Sequence, residues 1–141
     1  MNILVLGGSG FLGSHVCDQL SEAGHKVRVF DQVKSPWLRP NQEMIVGDLL
    51  DEKILEKAIA GCDVVYNFAG LADLDEALEK PVETVKMNVL GNVMLLEACR
   101  KAQVQRYIYA STVYVYSRDG GFYRCSKPAA EHYLSLIHIS E

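Results

Sequence analysis

Met1-Asn2-Ile3-Leu4-Val5-Leu6-Gly7-Gly8-Ser9-Gly10-Phe11-Leu12-Gly13 reads as a short apolar strand that breaks into glycines and restarts as a helix. Ile3 to Leu6 carries no charge, as befits a buried strand. Glycines then stand at 7, 10 and 13, spaced Gly-x-x-Gly-x-x-Gly. The first suits a tight turn, the second lets an anion approach the backbone, and the third lets helix pack on strand. The helix beyond opens with free N–H groups and a partial positive charge, a setting that holds a pyrophosphate. Gly7, Gly10, Phe11, Leu12 and Gly13 are therefore the candidate phosphate-side residues. Phe11, Leu12, Val16 and Leu20 recur at helical spacing, and Gly24 closes the helix.

Spacing alone also fits an ordinary βα loop, so the surroundings decide. A second strand, Lys26 to Phe30, finishes in Asp31, eighteen residues past Gly13. A dinucleotide fold places its ribose-binding acid about 20 residues on. A carboxylate there accepts both ribose hydroxyls and repels a 2′-phosphate, which favours NAD over NADP. Further strands are predicted at Glu43–Val46, Asp63–Tyr66 and Gln105–Ala110. Helices are predicted over Asp51–Ala60, from Pro81 onward, and from near Tyr123. The stripe Val82, Val85, Val89, Val93 and Leu96 is expected to face the core of the long helix. Alternating strands and helices predict an α/β fold, a parallel sheet with helices on both faces. Ligands then bind at the carboxyl ends of the strands, where Gly7–Gly13, Asp31, Asp48, Asn67–Gly70 and Ser111–Thr112 fall.

Composition narrows the function classes. The 141 residues suffice for one compact domain. A net charge of −4 with no block of like charge gives no support to nucleic-acid or membrane-surface binding. No apolar stretch is long enough to span a bilayer, and the N-terminus lacks the marks of a signal peptide. Cys17, Cys62, Cys99 and Cys125 are scattered, with no pair at metal-ligand spacing, so no metal site is expected. Free thiols fit a cytoplasmic protein.

Tyr123-Arg124-Cys125-Ser126-Lys127 is a Tyr-x-x-x-Lys. On a helix the two residues share a face. An ammonium beside a phenol stabilises the phenolate, which can then take a proton from a substrate hydroxyl while hydride leaves the same carbon. Thr112 is the candidate partner for the same oxygen.

With these residues in view, Met1 to about Tyr133 resembles an extended short-chain dehydrogenase/reductase of the NAD-dependent epimerase/dehydratase type. Gly7–Gly13 is similar to its glycine motif, Gly47-Asp48-Leu49 to its adenine-contacting segment, and Asn67-Phe68-Ala69-Gly70 to its strand-four motif. Asn88-Val89-Leu90-Gly91-Asn92 resembles its Asn-Val-x-Gly-Thr, and Tyr109 to Tyr116 its Ser-Ser/Thr-x-x-Val-Tyr-Gly run. The resemblance implies a Rossmann-like doubly wound parallel sheet of five strands in order 3-2-1-4-5, NAD as cofactor and a nucleotide-linked sugar as substrate. It assigns Thr112, Tyr123 and Lys127 to catalysis. It assigns Asp48, Leu49, Phe68, Ala69, Gly70, Asn88 and Lys127 to the cofactor, beside the glycine loop and Asp31. It also implies a homodimeric parent.

The chain departs from the family at four places. Val113 and Tyr114 stand where dehydratases tend to carry acids, which favours epimerisation or reduction over elimination. Ser117 replaces a glycine, and the segment from Thr112 to Tyr123 is short. Pro128 follows Lys127, so the helix is expected to start late or kink. Leu134–Glu141 resembles a translated sequencing adapter. Residues 1–133 are therefore expected to be an incomplete NAD-binding domain, with 134–141 a non-native tail and the family's last strands and substrate domain missing. Such a fragment is expected to be inactive by itself. A reductase of a non-sugar alcohol or ketone shares every residue named, and a non-catalytic dinucleotide sensor shares the fold.

Overall fold

The computed structural model describes residues 1–137. Strands β1 (Asn2–Leu6), β2 (Lys26–Asp31), β3 (Glu43–Val46), β4 (Val64–Asn67) and β5 (Arg106–Tyr109) form one sheet in the order β3-β2-β1-β4-β5. Every neighbouring pair is parallel, with Leu4 of β1 opposite Arg28 of β2 and Val65 of β4. The predicted strand order is the observed one.

Strand alternation divides the core into two layers. Leu4 and Leu6 point to one face, where they meet Leu55, Ala58 and Ile59 of α2 (Glu52–Ile59) and Leu95 and Cys99 of α5 (Gly91–Lys101). Ile3 and Val5 point to the other and meet Cys17 of α1 (Phe11–Glu22). The central strand is thus buried on both sides, as its uncharged sequence requires. Among the described residues no helix is long and apolar enough to cross a membrane.

Local chemistry fixes the helix ends. Asp51 caps α2, its carboxylate accepting from the amides of Lys53 and Ile54. Asp51→Ala is expected to cost about 1 kcal/mol of stability, read as a lower urea midpoint at unchanged slope. An additional short helix, α3 (Leu74–Glu79), is capped by Asp73. It leads into α4 (Pro81–Val85), whose first residue is the proline that the helix start tolerates. A π-helical turn over Lys86–Leu90 joins α4 to α5. The segment after β5 makes a 3₁₀ turn, Val113–Tyr116, before α6 (Gly121–Leu134).

Two expectations are corrected. Val82 and Val85 do not face the core; they are 59% and 46% exposed. The buried face of that helix carries Thr84, Asn88 and Asn92 before it turns apolar at Leu95, Leu96 and Cys99. The polar stripe wins because its side chains find partners inside, the condition under which polar groups are buried. Phe11 and Leu12, expected on the phosphate side, stand open at the rim, Phe11 being 85% exposed, and α1 buries Gly13, Ser14 and Cys17. The first turn of α1 lies so close to the β1 loop that only small residues fit there. Finally, α6 neither starts late nor breaks at Pro128; it begins at Gly121 and runs through the proline to Leu134. Positions 138–141 of the expected tail, His138 among them, lie outside the described residues.

Candidate active site

The glycine loop is built on close backbone approach. Gly7 adopts φ +73°, and its amide donates to the Phe30 carbonyl at 2.9 Å, tying the loop to β2. A Cβ at Gly7 would stand 2.7 Å from the carbonyl carbon of Phe68, in the loop after β4. A Cβ at Gly13 would collide with the Gly7 carbonyl oxygen. Gly10, the middle glycine, has no protein atom nearer than 3.4 Å to such a Cβ and is left open. Nor does Gly10 supply a side-chain cap to α1, so the helix presents its first amides forward without intrahelical partners. This cradle fits a pyrophosphate: donors in front, helix dipole behind, and no side chain between.

Asp31 ends β2 beside it. Its carboxylate accepts from the amides of Ser9 at 3.0 Å and Gln32 at 2.7 Å. The Val33 amide also donates to its Oδ1, at 3.5 Å, so of the about four lone-pair sites of a carboxylate one on the Oδ2 side remains for an outside hydroxyl. Gly7, Gly10, Asp31, Leu49, Phe68, Ala69 and Gly70 line one cleft of about 400 Å³. Asp48 is exposed, and its carboxylate accepts from the Leu50 amide at 2.9 Å. Leu49 is buried, and a Cβ at Gly91 would stand 2.7 Å from its Cδ2.

Asn88, an expected cofactor contact, lines the cleft wall beside Gly70 and also ties neighbouring elements together. It is 4% exposed. Its Oδ1 accepts from the Leu71 amide at 2.7 Å, and its Nδ2 donates to the Leu71 carbonyl and to Ser126 Oγ, each at 3.0 Å. It therefore pins the loop after β4 to α6. One turn on, Asn92 repeats the pattern. Its Oδ1 accepts from Tyr107 Oη at 2.6 Å and from Asn67 Nδ2 at 3.2 Å, while Asn67 Oδ1 accepts from the Ala69 amide. Burial drives the Tyr107 phenol well above its ordinary range, which keeps this network neutral. Asn92 Nδ2 also donates to the Ala130 carbonyl of α6 at 3.5 Å, so two asparagines at i and i+4 register the end of β4 and its loop against the helix that carries Tyr123 and Lys127. The polar spacing 84, 88, 92 was the sequence signal for it, masked by the valines beside it.

The second wall of the cleft brings Gly10, Gly13, Gly70, Ala110 and Ser111 together with Tyr123 and Lys127. Lys127 is buried, donates from Nζ to the Ala110 carbonyl at 2.7 Å, and stands 5.8 Å from the centre of the Tyr123 ring. Burial pushes its pKa down to about 8, against the opposing pull of Glu131; it is still mainly an ammonium at neutral pH. The Tyr123 ring packs edge-on to Tyr114, 6.3 Å between centres. Thr112 caps the 3₁₀ turn, accepting from the Tyr114 amide at 3.4 Å. Its neighbour Ser111 lines the cleft and donates to Glu131. Glu131, Asn92, Tyr107 and Ser126 escaped the sequence reading as site-forming residues, because only packing brings them together. The thiols of Cys17 and Cys99 are pushed up to about 12 by burial and are inert at neutral pH.

Comparison with known proteins agrees with this geometry. The NAD dependent epimerase/dehydratase family matches residues 3–135. A UDP-glucose 4-epimerase of Yersinia pestis is 39% identical over 128 residues, covering 82% of this chain and 38% of the relative. A 3-beta-hydroxysteroid dehydrogenase of Mycolicibacterium neoaurum is 36% identical over 115 residues, covering 78% and 31% respectively. The crystal structure of the Thermus thermophilus UDP-glucose 4-epimerase in complex with NAD superposes with a TM-score of 0.87 at 33% identity, covering 96% of this chain and 50% of that one. The chain therefore spans about two fifths of the Yersinia relative and half of the Thermus structure.

Proposed function

The chain belongs to the NAD-dependent epimerase/dehydratase family, and on that premise we propose that the whole protein inverts a carbinol centre of a nucleotide-linked sugar, with NAD as resident cofactor. The observation that carries this reading is the shared cleft: the glycine cradle and the Tyr123–Lys127 pair line one continuous wall. When bound, NAD supplies a hydride acceptor that can also return the hydride.

The chain's own residues divide the remaining work. The amides at the start of α1 and the open face at Gly10 hold the pyrophosphate, and Asp31 accepts from a ribose hydroxyl. Tyr123 takes the proton from the substrate hydroxyl and gives it back. Lys127 sets a positive charge beside that phenol, and Thr112 orients the substrate oxygen. Val113 is exposed and Tyr114 packs on Tyr123. Neither is a carboxylic acid of the kind that dehydratases tend to carry at these places, which supports epimerisation.

The test is to give the whole protein UDP-glucose and follow its C4 epimer. Conversion without net NADH is expected; no conversion of any nucleotide-sugar would sink the proposal. A second reading, dehydrogenation of a non-sugar alcohol, is favoured by the likeness to the steroid dehydrogenase. Stoichiometric NADH from a hydroxysteroid would establish it instead. Asp31 also predicts a preference: NAD should bind far more tightly than NADP, and Asp31→Ser should narrow the gap in a competitive titration.

The outward valines support a homodimer. Val82, Val85 and Val89 share one helix face by spacing, and the first two are exposed. Val85→Glu is expected to shift the sedimenting species of the whole protein from dimer to monomer. An unchanged dimer would place the interface elsewhere.

A further inference from the structure

Tyr109 ends β5 with its hydroxyl buried and without a hydrogen-bond partner among the described residues. An orphaned buried hydroxyl is a liability, so what the residue contributes must come from its ring. The ring face meets Lys127: Nζ stands 4.3 Å from its centroid. The same Nζ donates to the carbonyl of Ala110, the next residue in the chain. Tyr123 approaches from another side, its ring centre 5.8 Å away.

We propose that Tyr109 is a positioning residue whose ring face, with the Ala110 carbonyl, cradles the Lys127 ammonium and fixes it beside Tyr123. The negative face of an aromatic ring attracts a cation most where water is excluded, and Lys127 is buried. The titratable groups around it are few. Tyr109 faces it from β5, and Tyr123 and Glu131 from its own helix. The wall it shares with the glycine loop, the β4 loop and Asn88 adds none. Glu131 favours the ammonium, and its carboxylate already accepts from Ser111. The cradle is a matter of geometry; only its consequence for catalysis rests on the function proposed above.

The experiment reads Lys127 itself. In the NAD-free whole protein labelled with ¹³C-lysine, the Lys127 resonance is assigned by its loss in Lys127→Arg and titrated with pH. Tyr109→Phe keeps the ring face and removes the orphan hydroxyl, so the Lys127 midpoint is expected to stay in place. Replacing Tyr109 by progressively fluorinated phenylalanines keeps the shape and weakens the face. The midpoint should then fall stepwise, by about one pH unit over the series, and Tyr109→Leu should lower it too. A flat fluorination series overturns the proposal, whether or not Tyr109→Leu folds. So does a Tyr109→Phe midpoint displaced as far as the fluorinated ones, which would assign the effect to the hydroxyl. A descending series in a protein that turns over no nucleotide-sugar would uphold the cradle and defeat only the proposed reaction.

Discussion

Tyr123→Phe in the whole protein is expected to lower turnover by roughly two to four orders of magnitude, the usual worth of a positioned acid–base group. The substitution removes one oxygen and keeps the ring, so the edge-on packing against Tyr114 survives. The cofactor cradle lies in different elements, at Gly7–Gly13 and Asp31, and NAD affinity should be unchanged. The two readouts together separate a lost proton-transfer group from a damaged fold. Full turnover in the variant would remove Tyr123 from the mechanism. Loss of NAD affinity in parallel would make it structural. A wild-type protein that binds NAD and turns over nothing would instead favour the dinucleotide sensor that shares this fold.

The second large effect belongs to Gly13. Gly13→Ala is expected to abolish measurable NAD binding and to cost about 1–3 kcal/mol of stability, the range for overpacking a tight site. The new methyl group would meet the Gly7 carbonyl, which is backbone and cannot swing aside. That carbonyl also accepts from the Gly10 amide at 3.2 Å, so relieving the clash opens the phosphate turn itself. Gly24→Ala is the control. Gly24 also has positive φ, at +86°, but nothing lies within 4 Å of its added Cβ. It should lose some stability through backbone strain alone and keep its NAD affinity. Calorimetric NAD titration with urea unfolding of both variants checks the pair. Equal NAD affinity in the two would refute the close-approach account.

The parts of the site that were legible in sequence are those whose chemistry is local. Gly7 and Gly13 announce themselves because a Cβ at either would run into backbone, and Gly10 by its place between them in the same spacing. Asp31 follows because it ends the strand that pairs beside β1. Tyr123 and Lys127 follow because helical spacing alone puts them on one face, and Pro128 did not prevent it. The helix over 81–101 shows the opposite case. Its sequence carries two stripes, valines at 82, 85 and 89 and polar residues at 84, 88 and 92. Hydrophobicity selects the first, yet the structure buries the second. The choice depends on what the neighbouring elements offer: Leu71, Ser126, Asn67 and Tyr107 satisfy the asparagines. Those partners lie 15 to 38 residues away along the chain.

By itself, then, the sequence determined the alternation of strands and helices, the cradle at the end of β1 and the pairing of Tyr123 with Lys127. Each follows from periodicity, backbone sterics or spacing within one element. Only the tertiary structure decided that Asn88 and Asn92 hold the loop after β4 against α6, that Ser111 and Glu131 meet, and that the Tyr109 ring lies under the Lys127 ammonium. These contacts join residues from separate elements. A buried polar group or charge is stable only where a distant partner has been brought to it, and no local pattern in the chain encodes where that partner will be.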